Sequence, residues 1–242
     1  MAYNFPGTQE PRLRPAYGAA GVEVDLGLRQ YMLRVYNFMA AGLGLTGLVA
    51  YAAVATGFYQ QIAGTPLIWV IMLAPLAAVL FLSFRIENMS AGAAQATFWG
   101  YAALMGLSLA GIFLLYTGAS VARVFFVSAG TFAAMSLYGY TTKRDLSQFG
   151  SFLFMGLIGI VLAGLVNMFI ASSALQFVIT VAGVLIFTGL TAYDTQRIKE
   201  VYLASDPGEL LTKKALMGAL ALYLDFINLF VMVLQLTGQR RS

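Results

Sequence analysis

The sequence predicts an all-α integral membrane protein built as a bundle of seven transmembrane helices. Of its 242 residues 60% are hydrophobic and only 10% are charged, and the mean hydropathy is +0.80. A soluble domain of this length would carry roughly 25% charged residues. The formal charge of +4 is therefore interpreted as a topology signal, so we expect a lipid bilayer around the chain and no nucleic-acid partner.

Long uncharged stretches that are interrupted by polar breaks define the helices. Between Val35 and Phe84 there is no charged residue, which is too long for one crossing, and the polar segment 57–66 divides it. The same argument applied along the chain predicts spans at 35–56, 67–84, 97–116, 122–140, 149–170, 175–194 and 216–236. Residues 1–28, which contain three prolines, are predicted to be a mobile tail, and residues 29–242 the transmembrane domain.

The distribution of Lys and Arg predicts the orientation. With the N-terminus inside, the cytoplasmic segments hold eleven basic residues and the opposite segments only Arg123, Arg240 and Arg241. Basic residues are retained on the cytoplasmic side, so we expect a cytoplasmic N-terminus and an outside C-terminus. No cleavable signal peptide is recognisable, and we expect a multi-pass protein of a bacterial inner membrane.

Two acids are the candidate functional residues. Asp225 lies near the middle of the last span and Asp194 closes the preceding one, and no other carboxylate lies in or against an apolar span. The chain has no Cys and no His, which excludes disulfides, thiolate chemistry and most transition-metal sites. A response to pH near neutrality must therefore come from carboxylates, and we expect neither enzymatic activity nor a cofactor.

Helical periodicity indicates that Asp225 points into the bundle. The positions that share its face are small or polar: Gly218, Ala221, Asp225, Asn228, Met232 and Gln235. An ionised Asp at mid-membrane costs roughly 2.5–3.5 kcal/mol, and two facing carboxylates resist double ionisation. We therefore expect Asp194 and Asp225 to share a proton and to titrate as a coupled pair near neutral pH.

Plainer interpretations remain open for each residue. Asp225 could be permanently protonated and only form a hydrogen bond with a neighbouring backbone group. Asp194 could be a solvated acid at a helix end. Arg85 could anchor its span at the membrane interface. An intramembrane aspartyl protease is a remote alternative, because Asp225 follows Leu-Tyr-Leu rather than Gly-x-Gly. A retinal pump is excluded, since no span contains a Lys.

Three segments carry a resemblance to a known family. They read SLYGYTTKRDLS at 136–147, TAYDTQRIK at 191–199 and LYLDFINLF at 222–230. They resemble the Bax inhibitor family, also called the transmembrane Bax-inhibitor-motif family, and its bacterial branch most. The likeness covers about residues 29–236.

The resemblance implies a fold and a function. The last helix would lie at the centre of the bundle, Asp194 and Asp225 would be a pH sensor that gates a calcium leak, and Arg85 would be a latch on Asp194. The two acids would then form a weak transit site for calcium, the permeant ion. Residues expected to line or support the pore are Thr191, Gly218, Ala221 and Asn228. The alternative function is a regulatory membrane protein that binds a membrane-anchored AAA protease or acts in a stress response without transport.

Overall fold

The computed structural model describes the chain from Tyr17 to Arg241 and folds it into seven long helices. Their bounds are α1 Tyr17–Ala55, α2 Leu67–Arg85, α3 Ala91–Leu109, α4 Gly118–Thr141, α5 Ser147–Ile170, α6 Ser173–Glu200 and α7 Gly208–Thr237. Each is long and apolar enough to cross a membrane, so the predicted seven spans are confirmed. The short helices Phe58–Ala63 and Ile112–Leu115 lie in the links, and the orientation of the two termini stays a prediction.

The first helix begins earlier than the predicted boundary of the tail. α1 starts at Tyr17, directly after the last of the three early prolines, Pro15. Proline lacks a backbone N–H and breaks a helix interior, but it does not hinder a helix that begins after it. Residues 17–28 are therefore helical, whereas the mobile cytoplasmic tail stays a prediction, and its residues 1–16 lie outside the described residues.

The last two helices are also longer than their apolar cores. α6 continues to Glu200 and α7 begins at Gly208, so the link between them is only 201–207. Hydropathy marks where the apolar part of a helix ends, whereas the backbone continues in polar surroundings as long as its hydrogen bonds are made. Asp194 consequently lies almost two turns inside α6, about 9 Å from its end, and not at a helix terminus as predicted.

Two of the predicted polar breaks, and the link before α3, provide helix caps. Thr117 accepts a hydrogen bond from the backbone N–H of Ser120 at the start of α4, and Ser172 accepts one from Leu175 at the start of α6. Ser90 does the same at the start of α3. A side-chain oxygen at this position satisfies a backbone donor that the first helical turn leaves unpaired, which is why these segments end one helix and begin the next.

α7 lies at the centre of the bundle. It packs against α1, α3, α4 and α6, and most of its apolar residues are buried. α2 packs mainly on α3, and α5 mainly on α6. These two outer helices leave one side of α7 without a closely packed neighbour, and that side holds the cavities described below.

The two ends of the bundle differ in charge. We call the end that carries Arg34, Arg85, Lys143, Lys199 and Lys213 the basic face, and the opposite end, with Thr117, Ser172 and Gln239, the distal face. At the basic face, Lys213 donates to the carbonyl of Glu87 and Lys199 to that of Tyr140. At the distal face, the chain after α7 pairs with the α3–α4 link through Thr117 and Gln239.

Two glycines allow close helix contacts. A Cβ at Gly106 would lie 2.6 Å from the carbonyl oxygen of Thr46, and one at Gly139 would overlap that of Ala192. Because these neighbours are backbone atoms, they cannot move aside as a flexible side chain could. The α1–α3 and α4–α6 pairs are therefore tightly packed, in contrast to the loosely covered side of α7.

Candidate functional site

One face of α7 lines two cavities along almost its whole length. Gly218 and Ala221 line a cavity of about 580 Å³ near the basic face, and a second cavity of about 890 Å³ continues from Ala221 to the distal end. The residues of α7 along the second cavity include Asp225, Asn228, Met232 and Gln235. These are the same positions that helical periodicity placed on one face of the last span.

The two acids face each other across the contact between α6 and α7. Their carboxyl groups lie within hydrogen-bonding reach. Asp225 is almost completely buried, with 4% of its surface exposed, whereas Asp194 is half-buried. Among the described residues, Oδ2 of Asp225 has no hydrogen-bond partner. Since a carboxylate cannot donate a hydrogen bond, the contact between them is favourable only when the pair carries a proton.

The acidic pair lies where the two cavities meet. Asp194, Arg197 and Ala221 line both of them, while Asp225 lines only the longer one. That cavity runs between α5 and α7 with α6 along one side, and its other end is lined by Gln176 and Gln235. A rearrangement of the two carboxyl groups would therefore change the connection between the cavity at the basic face and the long one.

Comparison with known proteins identifies the family. Residues 28–242 match the family model described as inhibitor of apoptosis-promoting Bax1. The chain belongs to the Bax inhibitor family. It is 50% identical over 224 residues to inner membrane protein YbhL of Escherichia coli strain K12, covering 91% of this chain and 96% of that one. Proteins of Rickettsia prowazekii and Caulobacter vibrioides are 46% and 45% identical, covering 90% and 92% of this chain and 93% and 94% of theirs.

The relatives and the seven helices together indicate the membrane in which this Bax inhibitor family member resides. A relative named as an inner membrane protein covers nearly the full chain, and seven helices have the length and composition of membrane spans. The protein is thus a multi-pass protein of the bacterial inner membrane.

The predicted latch is not formed in this conformation. Arg85 is exposed at the end of α2, and in the described part of the chain the ion pairs are Lys213–Glu209 and Lys214–Asp206. The positive charge that acts on Asp194 comes instead from Arg197, one turn further along α6. The sequence contains the signal for this contact, because residues three positions apart share a helix face. The latch role of Arg85 was taken from the family resemblance, and its pairing with Asp194 required only that both lie on the cytoplasmic side.

Thr191 lies on a different side of α6 from the two cavities. Its hydroxyl is fully buried and donates to the carbonyl of Phe187 at 2.8 Å. Its own carbonyl accepts from Thr195, whose hydroxyl is 2.9 Å from that of Ser136, and Ser136 in turn is 2.7 Å from the Tyr36 hydroxyl. Thr191 therefore belongs to a chain of hydroxyl groups that joins α1, α4 and α6, which sequence reasoning did not find.

Gln196 ties the acidic helix to the α4–α5 link. Its side-chain oxygen accepts from the backbone N–H of Leu146, and its amide nitrogen donates to the carbonyl of Arg144, both at 2.8 Å. In the same link, the Ser147 side chain and backbone N–H bind the carboxylate of Asp145 and lower the pKa of that exposed acid. The two hydrogen bonds of Gln196, which lies two residues beyond Asp194, fix α6 relative to α5.

The acidic pair offers few oxygen ligands for a metal ion. Within residues 17–241 no group of three or more His, Cys, Asp or Glu side chains could hold a metal ion. Calcium takes six to eight oxygen ligands, whereas the cavity offers two carboxylates and the amide oxygen of Asn228, whose nitrogen donates to the carbonyl of Leu224. The missing ligands would have to be water molecules.

Proposed function

We propose that this Bax inhibitor family protein is a pH-sensitive cation leak, with calcium as the permeant ion, gated by Asp194 and Asp225. The observation that carries the proposal is the position of the pair at the junction of two cavities, one near the basic face and one extending to the distal end. A gate at this point would act on the whole path between the two faces of the membrane.

The proton balance of the pair supplies the pH sensitivity. With one shared proton, one carboxyl group donates to the other and holds α6 against α7. With both groups ionised, two negative charges lie against each other in a poorly hydrated site, which is unfavourable. The relative position of α6 and α7 at this level would then depend on pH, and so would the width of the junction.

Around the acidic pair, oxygen ligands favour a cation over an anion, whereas Arg197, Lys213 and Lys214 line the cavity near the basic face. The two acids and Asn228 present oxygen atoms to the cavity, and hard cations prefer oxygen ligands. With few fixed ligands, the acidic pair would form a weak site that binds calcium in transit. In this scheme Arg85 would compete for Asp194 only after α2 moves, since it does not reach it in the present conformation.

The proposal is tested by calcium flux into liposomes that contain the purified protein, measured between about pH 6 and about pH 8, where buried carboxylates can titrate. We expect flux that changes severalfold across this range, and a flux independent of pH for Asp225→Asn and for Asp194→Asn. Asp145→Asn, which removes an exposed acid from the α4–α5 link, serves as the control and should keep the pH dependence of the wild type. A pH dependence that is identical in wild type and Asp225→Asn would refute the gate.

The alternative function is that of a regulatory protein that binds a membrane-anchored AAA protease. Deleting residues 1–16, which precede α1, distinguishes this alternative from the cation leak. A leak through the bundle should survive this deletion, because the helices and the cavities begin after it. Loss of protease modulation with an unchanged flux, in membranes that hold both proteins, would favour the alternative.

A further inference from the structure

Uncharged polar side chains line the distal end of the long cavity, where Gln176 and Gln235 are exposed. Gln235 lies on the same face of α7 as Asp225, ten residues or about 15 Å further along. Gln176 of α6 lines the cavity beside it, and Asn167 of α5 lies next to Gln176. The three helices that border the cavity thus each contribute one amide at its distal end.

These amides are bonded end to end across the mouth. The Nδ2 of Asn167 donates to Oε1 of Gln176 at 3.1 Å, and Nε2 of Gln176 donates to Oε1 of Gln235 at 3.2 Å. Thr180 donates to the backbone carbonyl of Gln176 at 2.7 Å, and its hydroxyl lies 3.4 Å from the same oxygen of Gln235. The three amides thus link α5, α6 and α7 at this end of the cavity.

The two ends of this row of hydrogen-bonded amides are anchored separately. Asn167 accepts from the backbone N–H of Ser172, and Ala171 adopts the left-handed conformation with φ 51, so the α5–α6 turn holds Asn167 and Gln176 as one unit. The end of α7 is held by other contacts, since Gln239 pairs through its backbone with Thr117 and Ser120. The bonds to Gln235 join the two units, and they are side-chain bonds that can break without unfolding a helix.

We propose that Gln176 and Gln235 form a constriction that decides which solutes pass between the distal face and the cavity. The inference rests on the proposed function in so far as a solute must cross the cavity, but it concerns the opposite end from the acidic pair. Neutral amides offer dipoles and no net charge, so this constriction selects by size and hydration, while the acids select by charge. A neutral hydrogen bond contributes about 1 kcal/mol, which makes the closed mouth easy to open.

The absence of Cys from the chain makes the constriction accessible to a direct test. Met232→Cys places a single thiol in the cavity, one turn inside Gln235. In vesicles, a charged methanethiosulfonate that does not cross the membrane is added on the side of the C-terminus, and the rate of thiol modification is measured. We expect slow modification with the amides intact and about fivefold faster modification with Gln235→Ala, the change that follows from the loss of one hydrogen bond of about 1 kcal/mol.

Gln176→Ala breaks the same bond from the other helix and should accelerate the reaction equally, so the test does not depend on one variant. Gln239→Ala is the matched control, because its side chain makes no hydrogen bond within the described residues and it lies beyond the mouth. Equal thiol rates with and without the amide substitutions would overturn the constriction, as would an equal acceleration by Gln239→Ala. Monodisperse elution and unchanged melting of each variant show that the rates report on folded protein.

The outcomes also separate the constriction from the leak. Accelerated thiol modification together with a calcium flux that ignores Asp225→Asn would support the constriction and refute the gate. Unchanged rates of thiol modification, together with a calcium flux whose pH dependence is lost in Asp225→Asn, would refute the constriction and support the gate.

Discussion

The central helix α7 has two faces that are built on different principles. On one face Tyr223 packs 5.4 Å from the ring of Tyr101, and Phe226 packs 5.5 and 5.7 Å from the rings of Phe125 and Phe132. The other face, with Asp225 near its middle, borders the cavities of about 580 and 890 Å³, whereas a smaller cavity of about 300 Å³ reaches the first face at Phe226. We call these the packed face and the cavity face.

The two faces hold different kinds of polar group. On the packed face, the Tyr223 hydroxyl lies 2.6 Å from that of Thr46, which is also 2.9 Å from the carbonyl of Ala102. On the cavity face, Oδ2 of Asp225 has no partner in the described part of the chain. A buried polar atom without a partner costs roughly 1–3 kcal/mol. The packed face holds the helix in place, which allows the cavity face to carry an unfavourable group.

The largest expected difference between the faces is in the cost of removing a side chain. Phe226→Ala deletes a ring that is buried between two others, and we expect a loss of about 3–5 kcal/mol in stability. Met232→Ala, on the cavity face, removes a side chain that already borders empty space and should cost far less. Thermal melting of both variants in detergent checks this, and equal losses would mean that the faces do not differ in packing.

The tight contact between α4 and α6 gives the next effect. Gly139→Val would force a side chain against the backbone of Ala192, and overpacking of this kind costs about 1–3 kcal/mol. Gly130→Val on the same helix is the control, since a Cβ there meets open space. A folded Gly139→Val protein with wild-type melting would show that α4 and α6 can separate without penalty.

A smaller effect concerns the pH dependence of stability. Raising the pH ionises both acids and sets two negative charges against each other, so we expect wild-type stability to fall with pH by at most about 1.4 kcal/mol per pH unit for each proton lost. Asp225→Asn should flatten this slope. The control is Asp145→Asn: the bonds from Ser147 lower the pKa of Asp145, so it stays ionised above about pH 6 and its removal should leave the slope unchanged. A steep slope retained by Asp225→Asn would contradict coupling between the acids.

The smallest effect tests the hydroxyl groups of the packed face. Tyr223→Phe removes the bond to Thr46 and should cost about 1 kcal/mol. The Tyr101 hydroxyl is buried without a partner among the described residues, so Tyr101→Phe should be neutral or slightly stabilising. Melting temperatures of the two variants, compared side by side, decide this, and a larger loss for Tyr101→Phe would point to a partner for its hydroxyl.

Patterns within a single helix were predicted well. The seven spans follow from uncharged stretches, and the cavity face of α7 follows from a spacing of three and four residues around Asp225. Contacts between distant helices were not predicted. Neither the amides of Gln176 and Gln235 nor the hydroxyls of Tyr36, Ser136 and Thr195 form a motif, because their partners lie far apart in the sequence. Arg85 was assigned from a resemblance, and a resemblance does not specify the conformation in which a latch is closed.

The sequence by itself determined that this chain crosses the membrane seven times and which face of its last helix is polar, because the bilayer excludes charge and a helix repeats every 3.6 residues. Only the tertiary structure decided that α2 and α5 leave that face uncovered, that Arg197 rather than Arg85 lies by Asp194, and that Gln176 and Gln235 are hydrogen-bonded at the distal end of the long cavity. These features depend on the packing of helices against one another, which is set by side-chain shape and by close approaches such as that of Gly139 to Ala192.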